Sequence, residues 1–176
     1  PLGFDYLNRL DSGMLGSRQI TYDSTTKQYS TKIYSMFDRF KEQKHLNQYP
    51  VNSDKVNFKS NSRVIIYPKM YGTYQGFGDN TNARNYQERI STIKLADSNV
   101  LNISVKGRCD YTVGQKVNVK LNRIEPLKKA EGDIDDKIFS GNYLISAVNH
   151  YFDREKHETH MQLIKESSMM NMNRDR

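Results

Sequence analysis

Hydrophobic and polar positions change period several times along this chain, and each change predicts an element. Phe4, Leu7, Leu10 and Met14 recur at spacings of three and four, a helical rhythm over residues 2–15 that Gly13 and Gly16 interrupt. Ile20 and Tyr22, then Tyr29, Thr31, Ile33 and Ser35 beyond a Ser/Thr-rich turn, alternate in β-branched and aromatic types as two paired strands do. Residues 36–44 return to a helical pattern with Met36, Phe37 and Phe40 on one side, and Pro50 then forces the chain out of helix. Residues 47–62, rich in Asn, Ser and Lys and without Gly, predict an irregular excursion. Val64, Ile65, Ile66 and Tyr67 form a β-branched run stopped by Pro68, and residues 71–79 read as a Gly/Tyr loop.

The second half is more regular. Thr81 or Asn82 caps a helix to about Asp97, whose stripe of Ala83, Tyr86, Ile90 and Ile93 is expected inside while Arg84, Glu88 and Arg89 face away. Leu101, Ile103 and Val105 alternate with polar residues, as do Val117, Val119 and Leu121, so both runs predict half-buried antiparallel strands. Residues 107–114 turn the chain, and the acidic stretch 131–136 makes a longer loop. Residues 142–152 and 157–165 predict a closing hairpin joined by Asp153, Arg154, Glu155 and Lys156. Tyr143, Ile145 and Tyr151 are expected on one side of its first strand and Leu144, Val148 and Phe152 on the other, so that the strand is covered on both faces.

Together these elements predict a mainly β, β-rich α+β chain: a small antiparallel β-barrel that hides its edges by closure, with one packed helix and short accessory helices. The expected organisation is a helix, strand and loop segment over 1–80, the helix and barrel over 81–166, and a flexible polar tail over 167–176. At 176 residues the chain is long enough to bury a real core, but a hydrophobic share of 36% against 27% charged residues assigns much of it to polar loops or partner-facing surfaces. No apolar run approaches a membrane span and no charged-then-apolar leader is present, which predicts a chain made and kept soluble, and the single cysteine makes a reducing cytoplasm its expected place of synthesis. Cys109 is the only cysteine, which excludes an internal disulfide and a four-cysteine zinc site. The net charge of +7 suits an anionic partner without choosing among nucleic acid, membrane surface and acidic protein.

Candidate chemistry is sparse. His150, His157 and His160 lie close in the final hairpin, yet residues three apart on a strand point to opposite faces, so the HxxH spacing of 157 and 160 does not make a metal site; His150 could still meet His157 or His160 across the hairpin. Glu131, Asp133, Asp135 and Asp136 offer oxygen ligands but lack the glycine and distal glutamate of a calcium loop, and read as a solvated loop. No GxSxG elbow or recognisable Cys/His pair occurs, and Cys109 beside Arg108 reads as a small, partly buried residue. Gly72, Gly76 and Gly78 lack the Lys-Ser/Thr and the helix of a phosphate loop. The expectation is therefore a non-enzymatic chain without catalytic, metal or cofactor residues. Tyrosines among basic residues, Tyr67, Tyr71 and Tyr74 with Lys69, and Tyr111 after Arg108, leave an alternative: an OB-like barrel that binds single-stranded nucleic acid by stacking and phosphate contact. Tyrosine is equally at home in protein interfaces.

Three stretches carry a resemblance. NRLDSGMLGSRQITYDSTTKQY, within residues 8–34, is the first; NYQERISTIKLAD, VLNISVKGR and VGQKVNV, within 86–119 and its immediate flank, are the second; SGNYLISAVNHYF at 140–152 followed by HETHMQLIK is the third. In this order they resemble the C-terminal hub region of the baseplate hub proteins of contractile-tailed, T-even-like bacteriophages, and more distantly the hub part of type VI secretion spike proteins. The resemblance covers about half of the chain and includes no catalytic signature. It implies the hub type of barrel and a structural component of the viral tail baseplate. Such a component forms a ring, most simply a homotrimer, that connects the tail tube protein to the central spike during assembly and host-envelope penetration. Its partners would be other hub and spike proteins, with no specific nucleic acid and no membrane span, and its location the virion, after assembly in the host cytoplasm. Hubs of this kind carry additional N-terminal domains, so the chain is expected to be a fragment, a split subunit or a minor hub component.

Overall fold

The computed structural model describes residues 11–24, 27–51, 63–69, 81–123 and 135–171, with backbone only at 67–69 and 81–84. In chain order its elements are β1 (Gly16–Asp23), β2 (Tyr29–Ser35), α1 (Met36–Arg39), a 3-10 turn (Phe40–Glu42), β3 (Tyr49–Pro50), β4 (Val64–Lys69), α2 (Thr81–Ala96), β5 (Val100–Lys106), β6 (Lys116–Val119), β7 (Gly141–Phe152), β8 (His157–Ile164) and β9 (Ser167–Ser168). They fall into two units, one of Gly3–Lys44 with Asp54–Leu95, the other of Pro1–Leu2, His45–Ser53 and Ala96–Arg176. The protein is mainly β, as its alternation predicts.

In the first unit β1 and β2 form the expected antiparallel hairpin, with Gly16 opposite Ser35 and Tyr22 opposite Tyr29, and β4 joins β1 in parallel, Arg18 opposite Val64. The β4 run does not stop at Pro68 but continues to Lys69. Among the described residues β4 pairs only with β1, and as an outer strand it tolerates a residue that lacks an N–H. The helical pattern at 36–44 shortens to one α-turn and a 3-10 turn, which still buries Met36 and Phe40 with Phe37 against them. Met14, Leu15, Tyr34 and Leu95 complete this core. The expected helix over 2–15 lies largely outside the described residues.

Helix α2 has the predicted extent but not the predicted inner face. Among its described side chains the buried ones are Gln87, Ser91 and Leu95, four apart on one stripe, while Ile93 is exposed. The reason is hydrogen bonding rather than hydrophobicity. Gln87 Nε2 donates to the Ser17 carbonyl at 3.0 Å, the Ser17 hydroxyl at 3.1 Å and the Lys32 carbonyl at 3.3 Å, and the Ser91 hydroxyl donates to the Met14 carbonyl at 2.6 Å. Polar side chains at the contact let the helix donate directly to backbone carbonyls beneath it. These bonds tie α2 to β1 and β2. The expected boundary at 80 and 81 had grouped it with the C-terminal strands, whereas the change of unit falls after Leu95.

In the second unit β6, β7 and β8 run up and down, and β5 lies outside β8, giving the order β5-β8-β7-β6 in one antiparallel, curled half-barrel sheet. Tyr143, Ile145, Met161 and Leu163 are buried on its inner face, with Leu101, Ile103, Val105, Val117, Val119 and Val148 packed around them. A β-bulge between Ile145 and Ala147 shifts the phase of β7 by one residue. Val148, opposite Met161, therefore shares the inner face with Tyr143 and Ile145, and Tyr151 falls opposite the outward-facing Glu158. Phe152, opposite His157, follows Val148, so the expected assignments of Val148, Tyr151 and Phe152 are all corrected. β7 is buried along its first half and open along its second, not covered on both sides throughout. The stretch after Glu166, expected as a loose tail, begins as β9 paired with β3: Ser167 and Ser168 are buried, and only residues 172–176 lie outside the described set.

Candidate functional site

The β7–β8 register decides which histidines meet. His150 stands opposite Thr159 and Phe152 opposite His157, so His150, His157 and Thr159 share the inner face, whereas His160, opposite Asn149, belongs to the outer one. His150 Nδ1 lies 3.2 Å from the Thr159 hydroxyl and 3.4 Å from His157 Nε2, and the His157 ring stacks on Phe152 with centroids 4.1 Å apart. Gly107 lets the end of β5 pass beneath that ring: a Cβ there would stand 2.1 Å from His157 Cγ. The Arg108 N–H completes the cluster by donating to the Thr159 hydroxyl at 3.1 Å. Two imidazoles thus meet across the hairpin, but no group of three or more His, Cys, Asp or Glu able to hold a metal ion occurs among the described residues.

The other candidates are occupied locally. Asp136 Oδ1 accepts the N–H groups of Ile138 at 2.8 Å and Phe139 at 3.2 Å, closing a turn as an Asx cap does. Asp135 sits in a backbone bridge with Asn122, and Glu131 and Asp133 lie outside the described residues. Cys109 is exposed. Arg108 binds Asp110 through both ends of its guanidinium and lies over the Tyr111 ring at 5.2 Å, so this basic and aromatic pair is engaged with its own neighbours. Hydrogen bonding to Arg108 holds the Asp110 carboxyl below its ordinary range, and the same bond raises the guanidinium. Gly72, Gly76, Gly78, Tyr71 and Tyr74, and the side chains of Tyr67 and Lys69, lie outside the described residues.

Two polar centres went unread in the sequence. Lys165 continues the inward phase of Thr159, Met161 and Leu163, and it is buried; its Nζ donates to the Ile138 carbonyl at 2.5 Å and the Ser140 carbonyl at 3.4 Å, 4.8 Å from the centre of the Tyr143 ring. Burial lowers this ammonium to about 8, against a smaller opposing effect of Asp136. Tyr143, whose hydroxyl donates to the Phe139 carbonyl at 2.5 Å, is pushed up to about 12 by burial and by the negative charge of Asp136. The second centre is Asn47. Its amide donates to the carbonyls of Asn142 and Ser167, both at 3.0 Å, and accepts the Asn142 N–H at 2.8 Å, which ties the β3 segment to β7 and β9. Beside it Glu166 accepts the Leu46 N–H at 2.7 Å and stands 3.5 Å from His45 Nδ1. In both centres the bonds among the described residues satisfy buried polar groups.

A shallow depression of about 420 Å³ at the bulge is lined by polar residues such as Asn102, Asn149 and Gln162, by His160, and by apolar residues that include Ile103, Val148 and Met161. Among the described residues no helix is long and apolar enough to cross a membrane. No protein-family model matches the chain, and no curated protein matches it.

Proposed function

We propose that this chain is a structural component of a contractile-phage tail baseplate hub, acting through interfaces rather than through a catalytic pocket. The observation that carries this reading is where the three resembling stretches fall. The first spans the β1–β2 hairpin, the second α2, β5 and β6, and the third β7 and β8, so the resemblance lies along the folded elements and keeps their order. In this reading the half-barrel sheet is the hub-type barrel. Each subunit presents two unlike contact faces, and head-to-tail contact closes a ring, most simply of three, between tail tube and spike in the virion. The self-engaged Arg108, Asp110 and Tyr111 weigh against the nucleic-acid alternative, because a stacking platform needs its aromatic face and its cation free.

Light scattering of the protein alone and with a contractile-phage spike subunit tests the proposal. A trimer, alone or completed by the spike, supports it. A monomer in both samples, with no co-elution at micromolar concentration, refutes it. Saturable single-strand binding near physiological salt would favour the alternative.

A further inference from the structure

Three strands of the first unit leave one face of their sheet uncovered. The opposite face buries Ser17, Gln19 and Ile65 and receives α2. On the open face alternate residues of β1, β2 and β4 stand in register, and their large apolar side chains are exposed: Tyr29 by 77%, Ile66 by 73%, Ile33 by 62%, Val64 by 54% and Tyr22 by 46%. Five such side chains expose on the order of 500 Å² of apolar surface, near the upper end of what a monomer leaves open and well over half of one partner's share of a standard interface. Isolated exposed hydrophobics need no explanation; a contiguous group at adjacent register positions does.

The occupant follows from charge. Arg18 sits between Ile33 and Val64 in register, on the same face, exposed and without an ion pair among the described residues. The surrounding unit holds fourteen Lys and Arg against eight Asp and Glu, so it carries +6 of the chain's net +7. A second copy docked face to face would set one cationic unit against another and offer no carboxylate from the apolar group to Arg18. We infer that this face docks an acidic protein partner, one that offers an apolar surface to the tyrosines and isoleucines and a carboxylate to Arg18. The aliphatic residues distinguish such a partner from a nucleic acid, which would use the tyrosines but gain little from Ile33, Val64 and Ile66. The inference deepens the assembly reading and rests on it for the existence of a partner; it identifies that partner as a different protein.

The test uses the full chain with two capped peptides, one alternating leucine and glutamate, the other leucine and lysine. Titration is followed by NMR of the Ile33 and Ile66 methyls. The acidic peptide should bind at least tenfold tighter and perturb both methyls. Arg18→Glu, an exposed change checked for folding by circular dichroism, should reverse the preference, and Ile66→Lys should abolish binding of the acidic peptide. Equal binding of polyglutamate or of oligothymidylate, or an unchanged preference in Arg18→Glu, overturns the inference. So does self-association of the unliganded chain that Ile66→Lys removes, because the occupant is then a second copy. Assembly with the spike but no preference between the peptides refutes this inference alone, whereas the peptide preference without any assembly refutes the hub reading alone.

Discussion

Lys165 offers a quantitative check on the inner face of the half barrel. Its amine titrates near 10.5 when unfolded and near 8 when folded, so between those values the unfolded chain binds more protons and stability rises with pH. The gain is fully present above 10.5 and is lost as pH falls through 8. At 1.36 kcal/mol per unit it amounts to at most about 3 kcal/mol. The carbonyls of Ile138 and Ser140 and the Tyr143 ring favour the ammonium and reduce the gain to roughly 2 kcal/mol. Lys165→Met keeps the volume and removes the titration. At pH 7 the variant sheds a buried charge but strands two carbonyls, and these effects oppose each other, leaving its stability close to that of the parent. At pH 10 the parent amine is neutral and still donates, so the variant falls behind by about 2 kcal/mol. Urea midpoints by circular dichroism at both pH values measure the difference. Tyr143, raised to about 12, contributes stability that is lost as pH rises above 10, but it does so in both proteins and cancels. Equal pH slopes for parent and variant would refute the burial of Lys165.

Further substitutions probe other parts of the second unit. Ile145→Asp places an unpaired carboxylate where the side chain is wholly buried, and should unfold that unit at a cost above about 3 kcal/mol, seen as collapse of its amide dispersion in NMR spectra. Asn47→Ala strips partners from the Asn142 N–H and from two carbonyls; thermal melting should report a loss of about 2–3 kcal/mol, and hydrogen exchange at Ser167 and Ser168 should accelerate. Gly107→Ala should displace the His157 ring and cost about 1–3 kcal/mol, with the double variant Gly107→Ala/His157→Ala recovering most of it; no recovery would mean that ring contact is not what requires glycine.

Much of the strand pattern was legible because alternation is a local property. β1, β2, β5, β6, β7 and β8 all fall where β-branched and aromatic residues alternate with polar ones, and the four-residue link at 153–156 announces the last hairpin. What local pattern could not supply was phase and cover. Nothing in SAVN marks the bulge that moves Val148 inward, since a bulge is a mismatch with the neighbouring strand and becomes visible only when β8 supplies the register. The inner face of α2 departs from its apolar stripe for a related reason. Periodicity ranks faces by apolarity, but this helix lies on backbone carbonyls, and Gln87 and Ser91 outcompete Ile93 for the contact.

The candidate sites show the same division between what a strand's own sequence fixes and what its partner adds. Rejecting the HxxH pair needed only the two-residue period of a strand. Choosing His157 over His160 as the companion of His150 needed the pairing of His150 with Thr159. Lys165 was within reach of the same arithmetic: carried two residues beyond Leu163, the inward phase lands on it, and a lysine at an inward position at the end of a hairpin must find acceptors, which the 138–140 turn provides. The open face of β1, β2 and β4 was not within reach. Ile33 and Ile66 look like core residues in any one-dimensional reading, and their exposure emerges only once α2 is seen to occupy the other side of the sheet. An apolar residue in a strand therefore says little alone about cover, and it is the register of three strands, which sets Tyr22, Tyr29, Ile33, Val64 and Ile66 side by side, that turns single exposed residues into a surface.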